Sequence, residues 1–474
     1  MSVQVAVFLA YFLVVFAIGW YSLRLTRSEE DYWIAGGGLG WFTGGATLAA
    51  THTSAGTFVG TIGVMYTAGW SFGWVLLSIP LAYWFVAAVL APRFTRVREL
   101  TLPAFLEARY YSRKVRGLAA LIVLIATVVY IQAQIVAGGL VANIVFGIPV
   151  RWGMVLFTGV LLAYTVVGGM VAVVYTDAFQ LVVMCLATVL ALPLGIRQVG
   201  GMDALFSLVQ SAHPAVFQWG TLPGTLLFTM GLAFFLGSIA TPEKLIRLYA
   251  MKDMRTIRRG VFFATVVVTA LNLMVFMLAL VAIVLFPRLP TGDLAMPMVA
   301  TAVLPPAMGA MMLAAITAAM MSTVDSLLIV AGSALSVDLY QNLLHPTVTP
   351  ERRMVVDRLG IVAVGSVPLV LLLSGVGEGE LVQFIVLLFT ALMASSFALP
   401  VVGGVLWKRA TREGAAAAMI GGVAATFAWK VWGVTYVDPV VPGFLTSALL
   451  FFGVSALTAP PPASALAPYF GEAE

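Results

Sequence analysis

The chain has 474 residues, of which 61% are hydrophobic and 9% charged, and its mean hydropathy is +1.04. A soluble domain carries about 25% charged residues, so this composition excludes an ordinary soluble fold. The formal net charge of +5 does not mark a nucleic-acid binder, because the basic residues fall in short clusters between apolar stretches, and the single cysteine, Cys185, excludes an intramolecular disulfide.

Runs of ~20 apolar residues match the thickness of bilayer hydrocarbon, where only structures that satisfy every backbone polar group internally can cross. Thirteen such stretches are predicted, near residues 3–23, 41–66, 71–92, 117–146, 152–170, 172–195, 224–247, 261–286, 306–334, 357–374, 381–406, 415–433 and 443–459. The expected class is therefore all-α and integral to the membrane: one transmembrane domain over residues 1–474, with a proline-rich tail at 459–474. No signal peptide is expected, since the first run begins at Val3 without a basic stretch ahead of it or a small-residue cleavage site behind it.

Two of the stretches are interrupted. The second contains Gly44, Gly45, Thr47, Thr51, His52, Thr53, Ser54, Gly56 and Thr57 at mid-membrane depth; the seventh contains Gly237, Ser238, Thr241 and Pro242. Glycine relaxes a helix and proline removes a backbone donor. Unwound backbone in hydrocarbon is tolerated where it lines a cavity, and its freed carbonyls can hold a small cation. The bland alternative is that small residues only permit close helix packing. The breaks lie five spans apart, so the broken helices run in opposite directions. That predicts a five-plus-five inverted repeat, about 36–196 and 223–407, with one extra helix before and two after.

Charge placement sets the expected orientation. With the N-terminus outside, 21 of the 25 basic residues fall on inner loops, Lys244 and Arg247 among them; Arg151, Arg197, Arg288 and Lys430 do not. This asymmetry predicts a multi-pass protein of the cell (inner) membrane with its C-terminus in the cytoplasm. The basic balance serves orientation and contact with the lipid bilayer.

Three separated motifs carry a family resemblance. They are Tyr164-Thr165-Val166-Val167-Gly168-Gly169-Met170 running into Tyr175-Thr176-Asp177-Ala178-Phe179-Gln180, then Ala319-Met320-Met321-Ser322-Thr323 followed by Asp338-Leu339-Tyr340, and Gly404-Val405-Leu406-Trp407-Lys408-Arg409 through Gly414-Ala415. In this order they resemble the sodium–solute symporter family over about residues 1–458, which implies the LeuT-type fold. The resemblance also implies a Na+ site built from backbone carbonyls of Ala50 and Thr53, the carbonyl of Ala319, and the hydroxyls of Ser322 and Thr323. Na+ is a hard cation suited by oxygen ligands; the bland reading has Ser322 and Thr323 bonding back to their own helix.

Asp177 stands where the family carries an acid linked to sodium release or to a second sodium site, with an interfacial helix cap as its plainer reading. Asp325 is the other acid well inside a span, open to tuning the cation site, pairing with a donor or taking up a proton. His52 stands where the family's proline symporters have an acid and its sugar symporters an amide; it contacts substrate, donates to a carboxylate or titrates, or else packs against a carbonyl. Ser54 and Thr57 are expected to add substrate hydrogen bonds. Gln134 either contacts substrate, as in pantothenate-type members, or ties helices together. Phe234 is expected near the substrate path, or packed.

The segment Thr101–Tyr110 and the seventh span through Lys252-Asp253 resemble the pantothenate and monocarboxylate branch most. Gly237 and Phe234 stand where the sugar branch has an aromatic inner gate and a nearby amide, which argues against a hexose, and Glu243 stands where pantothenate- and proline-type members have histidine. The resemblance therefore implies Na+-coupled import of a small organic solute, a carboxylate such as pantothenate or a short monocarboxylate, by alternating access. A proline or amino-acid symporter stays open, as does proton coupling through His52, Asp177 or Asp325. No obligatory protein partner is expected, nor, from so short a tail, a sensor module. With His52, His213 and His345 as the chain's histidines, no metal-ligand or nucleophile–base spacing suggests an enzyme.

Overall fold

Small residues decide where these helices meet. Gly45 lies so close to the helix at residues 254–285 that an added Cβ would sit 2.6 Å from the Gly260 carbonyl oxygen and 3.0 Å from its Cα. The computed structural model describes residues 3–25, 29–97, 99–377 and 379–471. Arg27, Arg98, the final residues of the tail and the side chains of Tyr164, Val167 and Gly168 lie outside the described residues.

The chain begins with α1, Val3–Leu23, and a short α2, Glu29–Ile34. The broken second span follows as α3, Trp41–His52, and α4, Ile62–Ala68. Next come α5, Trp70–Phe94, α6, Leu102–Tyr110, and α7, Arg113–Phe146. The pair α8, Val150–Ala163, and α9, Gly169–Gln198, is followed by α10, Met202–Ala212. The second broken span is α11, Gly224–Ala240, and α12, Pro242–Ala250, and then comes α13, Met254–Leu285. The remaining long helices are α14, Pro306–Leu344, α15, Arg352–Leu373, α16, Val382–Leu406, α17, Arg412–Val431, and α18, Val440–Leu457; α19, Ala463–Phe470, closes the chain.

Among the described residues, eleven helices are long and apolar enough to cross a membrane. Two of the thirteen stretches expected from sequence fall short of that length for a physical reason. The stretch at 41–66 is cut at Thr53, whose backbone is extended (φ −78°, ψ 100°), and resumes through a wider π-helical turn at Gly56–Thr61. The stretch at 152–170 gives the short α8, and at Gly169 the backbone takes φ +64°, a conformation that favours glycine. A Cβ at Gly169 would also strike the Tyr32 ring of α2.

The seventh span breaks where glycine and proline predicted it. Thr241 is extended (φ −74°, ψ 126°) between α11 and α12, and Pro242 opens α12 at its first position, where a missing N–H costs nothing. The hydrophobic stretch of α14 is wholly buried, with Gly309, Ala310, Ala314, Ala315, Ala318 and Ala319 allowing neighbours close. By contrast α1 exposes Leu13 and Trp20 on its outer face, as a lipid-facing helix does.

The contact between α3 and α13 yields a first prediction. Gly45→Ala must push two backbones apart, since the Cβ would meet the Gly260 main chain, and is expected to destabilise the protein by about 1–3 kcal/mol. Gly44→Ala is expected to do less, because its Cβ would meet only the flexible Met251 side chain. Thermal unfolding of the two variants in the same detergent checks the order.

Candidate functional site

The break at Thr53 leaves backbone groups that a continuous helix would have paired. The Thr53 N–H still bonds to the Ala49 carbonyl at 2.9 Å, the last regular link of α3. Beyond it, the Ala55 N–H donates to Gln134 Oε1 at 2.9 Å and the Gly56 N–H to Ser54 Oγ at 3.0 Å, while Tyr130 donates to Ser54 Oγ at 3.1 Å. Two side chains of α7 thus hold the unwound segment open.

On the other side of the break lies α14. Ser322 Oγ donates to the Ala50 carbonyl at 3.0 Å and approaches the Ala319 carbonyl at 3.2 Å. Thr323 Oγ1 lies 3.2 Å from the Thr51 carbonyl and 3.0 Å from that of Ala319. Three carbonyl oxygens and two hydroxyls, all uncharged and buried, therefore converge between the two helices. The residues Ala50, Ala319, Ser322 and Thr323 are brought together as expected. Thr51, which sequence reasoning missed, supplies the carbonyl that Thr323 meets. Thr53 is next to this cluster, and its buried Oγ1 has no hydrogen-bond partner among the described residues.

A charged network adjoins the cluster. Asp177 and Arg247 are both fully buried, and Arg247 Nη2 lies 3.0 Å from Asp177 Oδ2. The same oxygen accepts from Thr47 Oγ1 at 2.5 Å and from Thr51 Oγ1 at 3.4 Å. Arg247 also donates to Thr47 Oγ1 (2.9 Å), Ser326 Oγ (2.5 Å) and the Glu243 carbonyl (2.6 Å). Ser326 in turn donates to the Ser322 carbonyl at 2.8 Å. One side chain of α12 thereby ties α3, α9 and α14 together.

This geometry corrects three sequence readings. Asp177 is not an interfacial helix cap: it lies well within α9, fully buried, and its hydrogen-bond partners are side chains of other helices. Arg247 and Lys244 are not inner-loop charges, since α12 places Arg247 in the core and turns Lys244 into a cavity. Gln134 is not among the residues lining that cavity and instead braces Ala55. Asp325 Oδ1 accepts from Thr165 Oγ1 at 2.5 Å, in the segment between α8 and α9.

The cavity sits beside the break. His52, Ser54, Thr57 and Phe234 line it, as expected from sequence, together with Tyr130, Lys244, Asn272 and Gln383. His52 packs edge-on against Tyr83, with ring centroids 5.5 Å apart, and its Nδ1 has no hydrogen-bond partner among the described residues. Phe389 forms a further wall and stacks on Tyr130 at 4.3 Å.

The model of the sodium:solute symporter family matches residues 32–422, and the sodium/pantothenate symporter of Escherichia coli (strain K12) is 30% identical over 93% of this chain and 94% of its own length. The chain belongs to the sodium:solute symporter family. The osmoregulated proline transporter OpuE of Bacillus subtilis (strain 168) is 28% identical, covering 97% of this symporter and 96% of OpuE.

Among solved structures, a Na+-coupled sialic acid symporter in a substrate-bound outward-open state superposes with a TM-score of 0.83 at 21% identity, covering 97% of this chain and 99% of that one. Mhp1, a nucleobase-cation-symport-1 family transporter in a closed conformation, gives 0.60 at 12% identity, covering 94% and 99%. At such identities these likenesses speak for the fold, which is LeuT-type. Membership of the family makes the protein a multi-pass membrane transporter rather than an enzyme, with Na+ as the co-transported ion.

Proposed function

We propose that the symporter imports a small organic carboxylate, such as pantothenate or a short monocarboxylate, down a sodium gradient by alternating access. The observation that carries the ion site is the meeting of the Ala50 and Ala319 carbonyls with the Ser322 and Thr323 hydroxyls. Na+ would sit among these oxygens and those of Thr53, each hydroxyl turning a lone pair towards it. Uncharged ligands favour binding weak enough to release. Asp177 has its Oδ1 buried without a hydrogen-bond partner among the described residues, which supports a part in sodium release or in holding a second ion.

Substrate would bind at His52, Ser54, Thr57 and Phe234, against the unwound segment, where the cavity of about 30 Å³ has to widen to admit it. Ion and substrate would then share one mobile element, and each would strengthen the other's binding by the same factor. The extended Thr53 and Thr241 support the two-repeat organisation, about 36–196 and 223–407. With Lys244 and Arg247 set aside, nineteen of the remaining twenty-three basic residues still fall on one set of loops, which supports an N-terminus outside and a C-terminus in the cytoplasm of the cell's inner membrane. The proline reading draws on OpuE and on the high-affinity proline transporter PutP of Bacillus subtilis (strain 168), 27% identical.

Purified protein in liposomes tests the proposal. An inward Na+ gradient is expected to drive accumulation of labelled pantothenate or a short monocarboxylate above its outside concentration, with only equilibration when Na+ is equal on both sides. Faster uptake of proline would establish the second reading. Uptake driven by a pH gradient in sodium-free buffer would overturn sodium coupling.

A further inference from the structure

Lys244 is a cation at the wall of a cavity, met in the protein by the charge of buried Glu243 but by no close ion pair among the described residues. It stands in the first turn of α12, just after the break at Thr241, and lines the central cavity. Its hydrogen bond among the described residues is a long one, 3.5 Å to Ser238 Oγ. No carboxylate oxygen lies within 4.0 Å of its Nζ among the described residues, although Glu243 is its neighbour in the chain. Arg247, one turn further along the same helix, is held by Asp177.

A charge inside a membrane protein is costly unless paired, and one that lines a cavity marks a ligand path. The start of α12 adds the positive end of its dipole on the same side.

Two further groups face the same space without partners. Gln383 is 1% exposed and its Oε1 has no hydrogen-bond partner; His52 is 8% exposed and its Nδ1 has none, both among the described residues. Gly60 is what lets Gln383 in, since a Cβ there would lie 2.6 Å from that Oε1. No Asp or Glu lines the cavity among the described residues, and the nearby buried carboxylate, Glu243, already acts on Lys244, so an ammonium group would have to compete with Lys244 for it. Phe234 and Phe389 supply apolar walls.

We infer that Lys244 anchors the substrate's carboxylate, and that the substrate is a monocarboxylate without an ammonium group, carrying a hydroxyl or N–H that donates to Gln383. This inference rests on the import reading above and names the substrate class of that same cavity. It separates a hydroxy- or acylamino-acid from a zwitterion such as proline, whose nitrogen would be repelled by Lys244 with no carboxylate on the cavity wall to receive it.

Binding in nanodiscs at saturating Na+ tests it, with pantothenate, lactate, propionate and proline as probes, and pantothenol, lactamide and propionamide as uncharged counterparts of the first three. Wild type is expected to bind pantothenate or lactate roughly tenfold to a hundredfold tighter than the counterpart, the range of a hydrogen bond to a charged group. Lys244→Met is expected to erase that preference and Lys244→Arg to keep part of it. Gln383→Leu is expected to erase the preference for lactate over propionate while retaining that for lactate over lactamide.

Radioactive sodium binding by each variant reports folding and the ion site separately. The inference is overturned if acids and counterparts bind wild type equally, if proline binds best, if no carboxylate of the panel binds, or if Lys244→Met keeps the wild-type preference while still binding sodium. Loss of sodium binding by wild type itself would instead overturn the import reading.

Discussion

Arg247→Met will destabilise the symporter by about 3–5 kcal/mol, the typical consequence of leaving one member of a buried ion pair without the other. Asp177 keeps its hydroxyl donors from Thr47 and Thr51, but a carboxylate with 0% exposure has no water to compensate for the missing cation. The loss extends beyond one contact, because the same guanidinium also binds Ser326, Thr47 and the Glu243 carbonyl. Asp177→Leu alone is expected to be similarly severe. The double variant Arg247→Met/Asp177→Leu is expected to recover most of the lost stability, since apolar groups of similar size often replace a buried pair without penalty. Equilibrium unfolding in mixed micelles measures all three. If each single variant unfolds like wild type, the pair is not holding α3, α9, α12 and α14 together.

Loss of the Thr323 hydroxyl will raise the sodium concentration for half-maximal uptake roughly tenfold, corresponding to about 1.4 kcal/mol, and leave the maximal rate nearly unchanged. The hydroxyl now bridges the Thr51 and Ala319 carbonyls, so Thr323→Ala removes one ligand without opening a large cavity. Thr323→Ser restores the oxygen and is expected to restore affinity. Ser322→Ala, whose hydroxyl reaches Ala50 and Ala319, is expected to behave alike. Sodium titrations of uptake by the four proteins decide it, and an unchanged titration curve for Thr323→Ala would mean the ion binds elsewhere.

Much of the architecture was legible because bilayer thickness writes itself into run length. The breaks were legible too: Gly44, Gly45, Gly237 and Pro242 weaken helices by local chemistry that needs no tertiary knowledge. Ser322 and Thr323 were singled out by the family resemblance, since hydroxyls in an apolar run read equally as bonding back to their own helix, and both do reach the Ala319 carbonyl as well as the facing α3. Lys244 and Arg247 were misread for a definite reason. Loop charge is counted by distance along the chain, whereas Pro242 restarts a helix that carries both residues into the interior. Asp177 was singled out, yet its partner lies 70 residues away on another helix, and no local pattern joins them. For Gln134 the sequence left two readings open, substrate contact or a tie between helices, and only the position of the unwound Ala55 N–H, which local pattern does not give, favours the tie.

The meeting of Gly45 with Gly260 has a mechanical consequence. Two main chains pressed together without side chains between them have little slack for sliding, so α3 and α13 behave as one stiff beam bearing the Ala50 and Thr51 oxygens at its tip. The helix is interrupted at Thr53, between that beam and the segment facing the cavity. A rotation there would move the proposed ion ligands relative to the cavity without unpacking Gly45 from Gly260, so release of cargo and integrity of the scaffold would be separable within one stretch of chain.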